Sequence, residues 1–417
     1  MTAPPLRVVA LADTDSYVKW AAALLSALPD HSEAELVIVE TPLAVSSAQL
    51  DAALVGSGLN PARVRRVKFE DLSHVLAEAD PDAVLVAARG PVVRVLIGVA
   101  AALDPRPVII AGLPGISIPA TTAALIHRTQ SDLFVLHSTR EVDAFTALAH
   151  RRGLSQRFAL ARLPFATTPA APPGGSRVGT DLVFASQAIV PLERADRMRV
   201  ARLLVRAALA DPSKRVVVKE RAVAGEHQTH QQRHGYPDLL RKLAPLPANL
   251  VVSTQSMSRA LDTAEGLVTV SSTAAIEAVA RDIPVITLDC FGVDDKLINP
   301  VFTESGLFGS EDAAVRRDFR HPSQEWLARN YFHDPDEDDW IAQVDRLVAL
   351  RRAGALPPKP ARDRRGGRAR DAWERKLALG RHDRSLAGAA AFVVGVPLRL
   401  VLRPILRPYY RHRLRAA

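Results

Sequence analysis

Between Gly266 and Asp289 the sequence reads GLVTVSSTAAIEAVARDIPVITLD, and this segment constrains the fold more than any other. Residues 267–270 are a short apolar, β-branched run. Ser271, Ser272 and Thr273 then open a helical run over 274–281, and residues 284–288 repeat the pattern of a buried strand. The order is strand, hydroxyl-rich turn, helix, strand. In such a unit the hydroxyls and the open N–H groups of the first helical turn converge at the positive end of the helix dipole. A phosphate or carboxylate is held there without a charged side chain. Glu277 stands one turn further on, on a face that a ribose or a neighbouring loop can reach. The plainer alternative makes Ser271 or Ser272 an N-cap and nothing more.

The same alternation fills most of the chain. Strand patterns fall at 6–12, 35–39, 64–67, 83–87, 108–111, 133–136 and 158–163, with helical patterns between them at 17–28, 48–55, 72–79, 91–103, 120–128 and 140–151. Residues 164–180 break the rhythm with Pro, Gly and small polar residues and read as a linker. A second series follows, with strands at 182–186, 215–219 and 250–253 and helices at 192–209, 236–243 and 257–263, ahead of the 266–289 segment. Strands alternating with helices at this spacing imply parallel sheets covered on both faces. The expected fold is therefore α/β, with two doubly wound Rossmann-like domains at 1–163 and 181–352. The two series share a pattern without recognisable sequence identity, so they read as two similar folds rather than an internal repeat.

Charge separates the body from the tail. From residue 351 onward there are 18 Lys or Arg against 4 Asp or Glu, a balance of +14, whereas the first 350 residues carry −5. A nucleic-acid-binding body would carry its positive field on the folded domains, so that class is excluded. The single cysteine, Cys290, rules out an internal disulfide framework or a multi-cysteine zinc site. Residues 1–5 lack a basic segment followed by an apolar core, which points to the cytoplasm.

Two such domains joined by a short linker, with an anion-binding turn in the second, resemble a glycosyltransferase of the GT-B architecture. The resemblance sharpens at VVVKER (residues 216–221) and at the segment containing TVSSTAAIEA. These look like the donor-binding half of bacterial capsule, sialic-acid and teichoic-type transferases, and most closely resemble an uncharacterised actinobacterial glycosyltransferase family. In related transferases a lysine at this strand end leads into a His-Pro pair that contacts the nucleotide phosphate. Lys219 matches, whereas the His-Pro pair is replaced by GEHQTH at 225–230 and by His234.

Sugar transfer requires the departing phosphate to be neutralised and the acceptor hydroxyl to lose its proton as the bond forms. For the phosphate the candidates are Ser271, Ser272, Thr273 and Lys219, assisted by Arg221, His227 or His230, all just past carboxyl ends of strands, where ligands sit in open α/β sheets. The competing readings are a solvated strand-end lysine and surface-loop histidines. For the base, Asp13 and Asp15 follow the first strand, with Asp13 preferred because Asp15 or Ser16 is alternatively spent on capping the next helix. No metal site or cofactor is implied. His137-Ser138, after the strand at 133–136, reads as an ordinary helix start.

Residues 353–385 read as a basic flexible spacer, disordered or loosely helical. Residues 386–398 form an apolar run too short to cross a bilayer as a helix, which needs about 20 residues. Arg399, Arg403, Arg407, Arg411, Arg413 and Arg415 follow at near-helical spacing, so residues 386–417 read as an amphipathic basic tail that lies on an anionic membrane surface. The alternative is an extra helix docked on the body. Together these readings describe a cytoplasmic transferase at the inner face of the plasma membrane. It would move a sugar from a nucleotide donor, with the resemblance leaning to a CMP-activated sialic-acid-type sugar, onto a lipid-linked or cell-envelope glycan. A nucleotide-sugar 2-epimerase, a CDP-polyol phosphotransferase and a non-catalytic membrane-docked assembly protein are the competing readings.

Overall fold

Parallel pairing buries both faces of a strand, so it selects runs that are apolar at every position rather than at every second one. The strands of the described residues are, in order, β1 (Arg7–Ala12), β2 (Glu33–Val39), β3 (Val64–Val67), β4 (Ala83–Ala87), β5 (Val108–Gly112), β6 (Leu133–Leu136), β7 (Phe158–Leu160), β8 (Asp181–Ala185), β9 (Val216–Lys219), β10 (Leu250–Ser253), β11 (Ala264–Thr269), β12 (Val285–Leu288) and β13 (Phe308–Gly309), and the central ones fit that pattern best. β4, β5, β6, β8 and β12 are buried along their whole length. The structure is a computed structural model that describes residues 4–43, 45–55, 57–163, 166, 179–220, 234–359 and 367–397.

The first sheet has the order β3-β2-β1-β4-β5-β6-β7 and the second β10-β9-β8-β11-β12-β13. β1 runs parallel to both β2 and β4, and β8 parallel to both β9 and β11. In each sheet the chain therefore winds outward from its first strand and restarts on the other side with its fourth. This reversal opens a crevice at the carboxyl ends, between β1 and β4 in one sheet and between β8 and β11 in the other.

The chain divides into two compact units, one drawn from Met1–Ala111, Ile126–Asp132 and Val344–Ala417, the other from Gly112–Leu125 and Leu133–Gln343. In the first unit, Val9, Leu11, Val84 and Val86 meet Leu96 and Ile97 of the helix Gly90–Ala100 in one core. In the second, successive residues of β8 point to opposite faces. Leu182 and Phe184 pack with the helix Arg194–Ala210, while Val183 and Ala185 pack with the helix Ala274–Ala280.

Three departures from the sequence reading stand out. β11 begins at Ala264 rather than 267, because a register shift against β8 between Ala264 and Gly266 accommodates the polar Glu265. β13 extends the second sheet beyond the strands the sequence pattern marks, being only two residues long. Within 353–385, the expected flexible spacer, Gly367–Leu379 is a helix that buries Ala372, Ala378 and Leu379. Ala378 and Leu379 join the core of the first unit, and Glu374 pairs with Arg94 at 2.6 Å. The apolar positions that seat this helix are few and lie among charged residues, so composition does not reveal it. Of the expected linker at 164–180, only Ala166, Gly179 and Thr180 lie among the described residues. No helix of the described residues is long and apolar enough to cross a membrane.

Candidate functional site

In the second unit the crevice between β8 and β11 is stitched by one side chain. The Gln187 amide accepts a hydrogen bond from the Ser271 N–H at 3.0 Å and donates to Ser271 Oγ at 3.1 Å. Ser271 Oγ also donates to the Leu297 carbonyl. Ser271 is thus buried and committed to loop geometry. The two hydroxyls beyond it are more accessible: Ser272 is half-buried and Thr273 exposed. Ser272 Oγ accepts from the Ala274 N–H at 3.2 Å, whereas Thr273 makes no side-chain cap. Opposite Thr273 runs the loop after β5, so close that a Cβ on Gly115 would come within 3.0 Å of the Thr273 methyl. A side chain at this position would press the methyl aside by a few tenths of an ångström.

Charge gathers at the ends of β8 and β9. Lys219 is buried, and its Nζ donates to the carbonyl of Glu220. Glu220, also buried, accepts from Ser186 Oγ at 2.9 Å and from the Tyr236 N–H at 3.3 Å. Lys219 is therefore no solvated strand end. Arg197 sits on the apolar stripe of its helix with Val200, Ala201 and Leu204. Its Nη1 donates to the carbonyls of Gln187 at 2.9 Å and Pro191 at 3.1 Å, its Nε to that of His234 at 2.7 Å, and its plane lies 4.8 Å from the centre of the Tyr236 ring. Arg197 Nη2 and Tyr236 Oη are buried without a hydrogen-bond partner among the described residues. Burial raises the Tyr236 phenol well above its ordinary range.

Glu277 turns away from these groups. It pairs with Arg281 at 3.4 Å, and Arg281 is also held by the Ser258 carbonyl and by Asp262. Arg221, His227 and His230 lie outside the described residues. Among the described residues, no cluster of three or more His, Cys, Asp or Glu is placed to hold a metal ion.

In the first unit the crevice between β1 and β4 has the opposite chemistry. Asp13 follows β1 and is fully buried. Its two oxygens accept from the backbone N–H of Arg89 at 3.2 Å and from Arg89 Nε at 3.0 Å, just past β4. Burial pushes the Asp13 carboxyl up to about 6, against the pull of the Arg89 and Arg128 charges. Arg128 is itself buried and donates to Tyr17 Oη at 2.9 Å and to the Ala88 carbonyl at 3.0 Å. Thr14 Oγ1 is buried beside Asp13 with no partner among the described residues. Asp15, by contrast, is the first residue of the helix Asp15–Ser26, so neither it nor Ser16 is the cap; Thr14 occupies that position, without a side-chain cap bond.

His137 is a packing residue of the second unit. Both ring nitrogens face carbonyls, of Ala161 at 2.6 Å and Leu113 at 2.9 Å, and burial lowers its pKa. Ser138 caps the helix Thr139–Arg151.

Sequence reasoning missed Gln187, Glu220 and Arg197. Two signals were present: an acid directly after Lys219 at a strand end, and an arginine in phase with the apolar residues three, four and seven positions on.

Two parallel sheets, each reversing direction after its third strand and each carrying polar groups at that reversal, define a paired Rossmann-like protein of the GT-B type. The chain belongs to the family described as "Putative glycosyltransferase (DUF6716)", whose model matches residues 8–347. Similar solved structures include a "putative UDP-N-acetylglucosamine 2-epimerase" from Listeria monocytogenes, at 12% identity and TM-score 0.57 over 86% of this chain and 99% of that one. The S. aureus MnaA–UDP structure follows at 11% identity and TM-score 0.54, over 85% and 99% of the two chains. UDP-GlcNAc 2-epimerase from Neisseria meningitidis bound to UDP-GlcNAc has 10% identity and TM-score 0.51, over 84% and 100%. At this identity the likeness carries the fold and nothing finer. No curated protein matches the sequence.

Proposed function

We propose that the protein transfers a sugar from a nucleotide donor, the second unit binding the donor phosphate and the first accepting the acceptor's proton. Family membership supports the reaction class. The observation that carries the residue assignment is Asp13, a buried carboxylate at a strand-end crevice with a pKa of about 6. Such a group is mostly ionised at neutral pH, yet basic enough to take a proton from an alcohol as the new bond forms. In the reaction the acceptor oxygen bonds to the anomeric carbon while the bond from that carbon to the donor phosphate breaks. The proton goes to Asp13 and the electron pair to the departing nucleotide. Ser272, Thr273 and Lys219 stabilise the charge that develops on that phosphate, with Arg221, His227 and His230 as further candidates. Ser271 fixes the turn through Gln187, and Glu277 reaches a ribose only by giving up Arg281.

The finer reading follows the sequence resemblance. The donor is a CMP-activated acidic sugar of the sialic-acid type, and the acceptor is a lipid-linked or cell-envelope glycan at the inner face of the plasma membrane. Melting the purified protein with UDP, GDP, CMP and CDP tests it. CMP should raise the melting temperature most. Stabilisation by none of the four would overturn the catalytic reading in favour of an assembly protein, and interconversion of a nucleotide sugar without any acceptor would replace it with epimerisation.

A further inference from the structure

Residues 386–397 form a helix that follows the docked helix Gly367–Leu379, and its packing is the reverse of a surface helix on a water-soluble protein. Two glycines face inward. A Cβ on Gly395 would lie 2.5 Å from Trp373 Nε1, and one on Gly388 would lie 2.3 Å from Asp383 Oδ2. Large apolar residues face outward: Leu386 is 88% exposed, Val393 71% and Val394 68%, with Phe392 partly exposed beside them. Nothing from Leu386 to Pro397 is charged or bears a polar side chain, so the outward face offers no hydrogen bond to water. The orientation is fixed at its start. Ser385 Oγ accepts from the Gly388 N–H at 3.0 Å, and Ser385 is held in turn by the buried Asp383, which pairs with Arg375 at 3.1 Å.

We infer that the outward face of residues 386–397 is a docking surface for an anionic phospholipid bilayer. This deepens the proposed function by naming the surface that would bring the enzyme to a lipid-linked acceptor. The occupant is chosen by charge. From Ser385 to the last residue there is no Asp or Glu, and six arginines, Arg399 to Arg415, follow the apolar helix directly. An apolar face followed by a segment with arginines and no acidic residue suits acyl chains beneath acidic headgroups. A second copy of the chain would bring the same positive charge to the interface, and like charges oppose it. Nor is the apolar run long enough to span: it has 13 residues, Leu386 to Leu398, before Arg399, where a span needs about 20.

The test is co-sedimentation of the full chain with vesicles of phosphatidylcholine and phosphatidylglycerol, against phosphatidylcholine alone. The wild-type protein should pellet with the anionic vesicles and be released by high salt. Val393→Asp with Val394→Asp should weaken that partitioning roughly tenfold, with melting temperature and nucleotide-induced stabilisation unchanged. Changing Arg399, Arg403 and Arg407 to Gln should weaken binding to the anionic vesicles alone. The inference is overturned if the wild-type protein stays in solution, if the double variant partitions like wild type, or if that variant instead dissolves a dimer seen by light scattering. Nucleotide binding is read in the same samples, so failure of the membrane surface and failure of the proposed reaction give different results.

Discussion

The two crevices occupy equivalent places in sheets of the same strand order, and their chemistry is opposed. Between β1 and β4 the groups are ionic and buried: Asp13 clasped by Arg89, with Arg128 behind. Between β8 and β11 the bridge is neutral, an amide and a serine; the buried charges Lys219 and Glu220 stand at the end of β9, and Arg197 reaches the loop after β8 from its helix. Topology thus fixes where a ligand can approach, while the few residues after each strand decide what the approach does. A neutral, fully bonded bridge holds a loop in one shape. A buried carboxylate with a raised pKa holds a proton loosely enough to exchange it.

The comparison is broken most severely at Asp13. Asp13→Asn should lower turnover by roughly 10³-fold, within the range for removal of a general base, and should abolish an acidic limb near pH 6 in the rate profile. A variant that keeps wild-type turnover ends the assignment. The same group gives a stability signature. Its pKa rises from 3.8 in the unfolded chain to about 6 in the folded one, so the folded protein binds more protons between those values. Asp13's contribution is therefore most favourable below pH 3.8 and is lost as pH rises through 6. Urea midpoints across that window should lose this component of their slope in the Asn variant.

Next in size is Arg197→Met, which leaves four carbonyls in two loops without their donor. Unfolding free energy should drop by about 3 kcal/mol, read by urea titration, and a change below about 0.5 kcal/mol would mean water replaces the guanidinium at no cost. Smaller still, changing Ser272 and Thr273 together to Ala should weaken nucleotide binding roughly tenfold by calorimetry, the loss of one or two hydrogen bonds to a charged group. Unchanged affinity would move the phosphate elsewhere. The smallest effect is expected at Ser138→Ala, a lost helix cap costing about 1 kcal/mol in the same urea titration, with no change in nucleotide affinity.

Much of the architecture was legible because buried parallel strands announce themselves. β4 and β6 fall on the residues their apolar runs mark, 83–87 and 133–136, and the less buried β3 and β10, at the sheet edges, also fall where expected, at 64–67 and 250–253. Elements held by few contacts were not: β13 has two residues, and the helix Gly367–Leu379 lies in an arginine-rich stretch. At the candidate sites, a residue's position after a strand was readable and its partners were not. That Ser271 is occupied by Gln187, 84 positions earlier, and Glu277 by Arg281, depends on side-chain directions that no local pattern records. Arg197 shows the same limit, since its worth lies in carbonyls contributed by two separate loops.

Leu379, whose side chain completes the interior of the first unit, bears on how the protein can be shortened. Anyone wishing to discard the basic extension for crystallisation would be tempted to cut near residue 353, just past the helix Trp340–Arg352. That cut would strip a plug from the hydrophobic interior and leave Arg94 without Glu374. A cut after Asp383, which Arg375 holds in place, removes the arginine-rich end and keeps the interior closed.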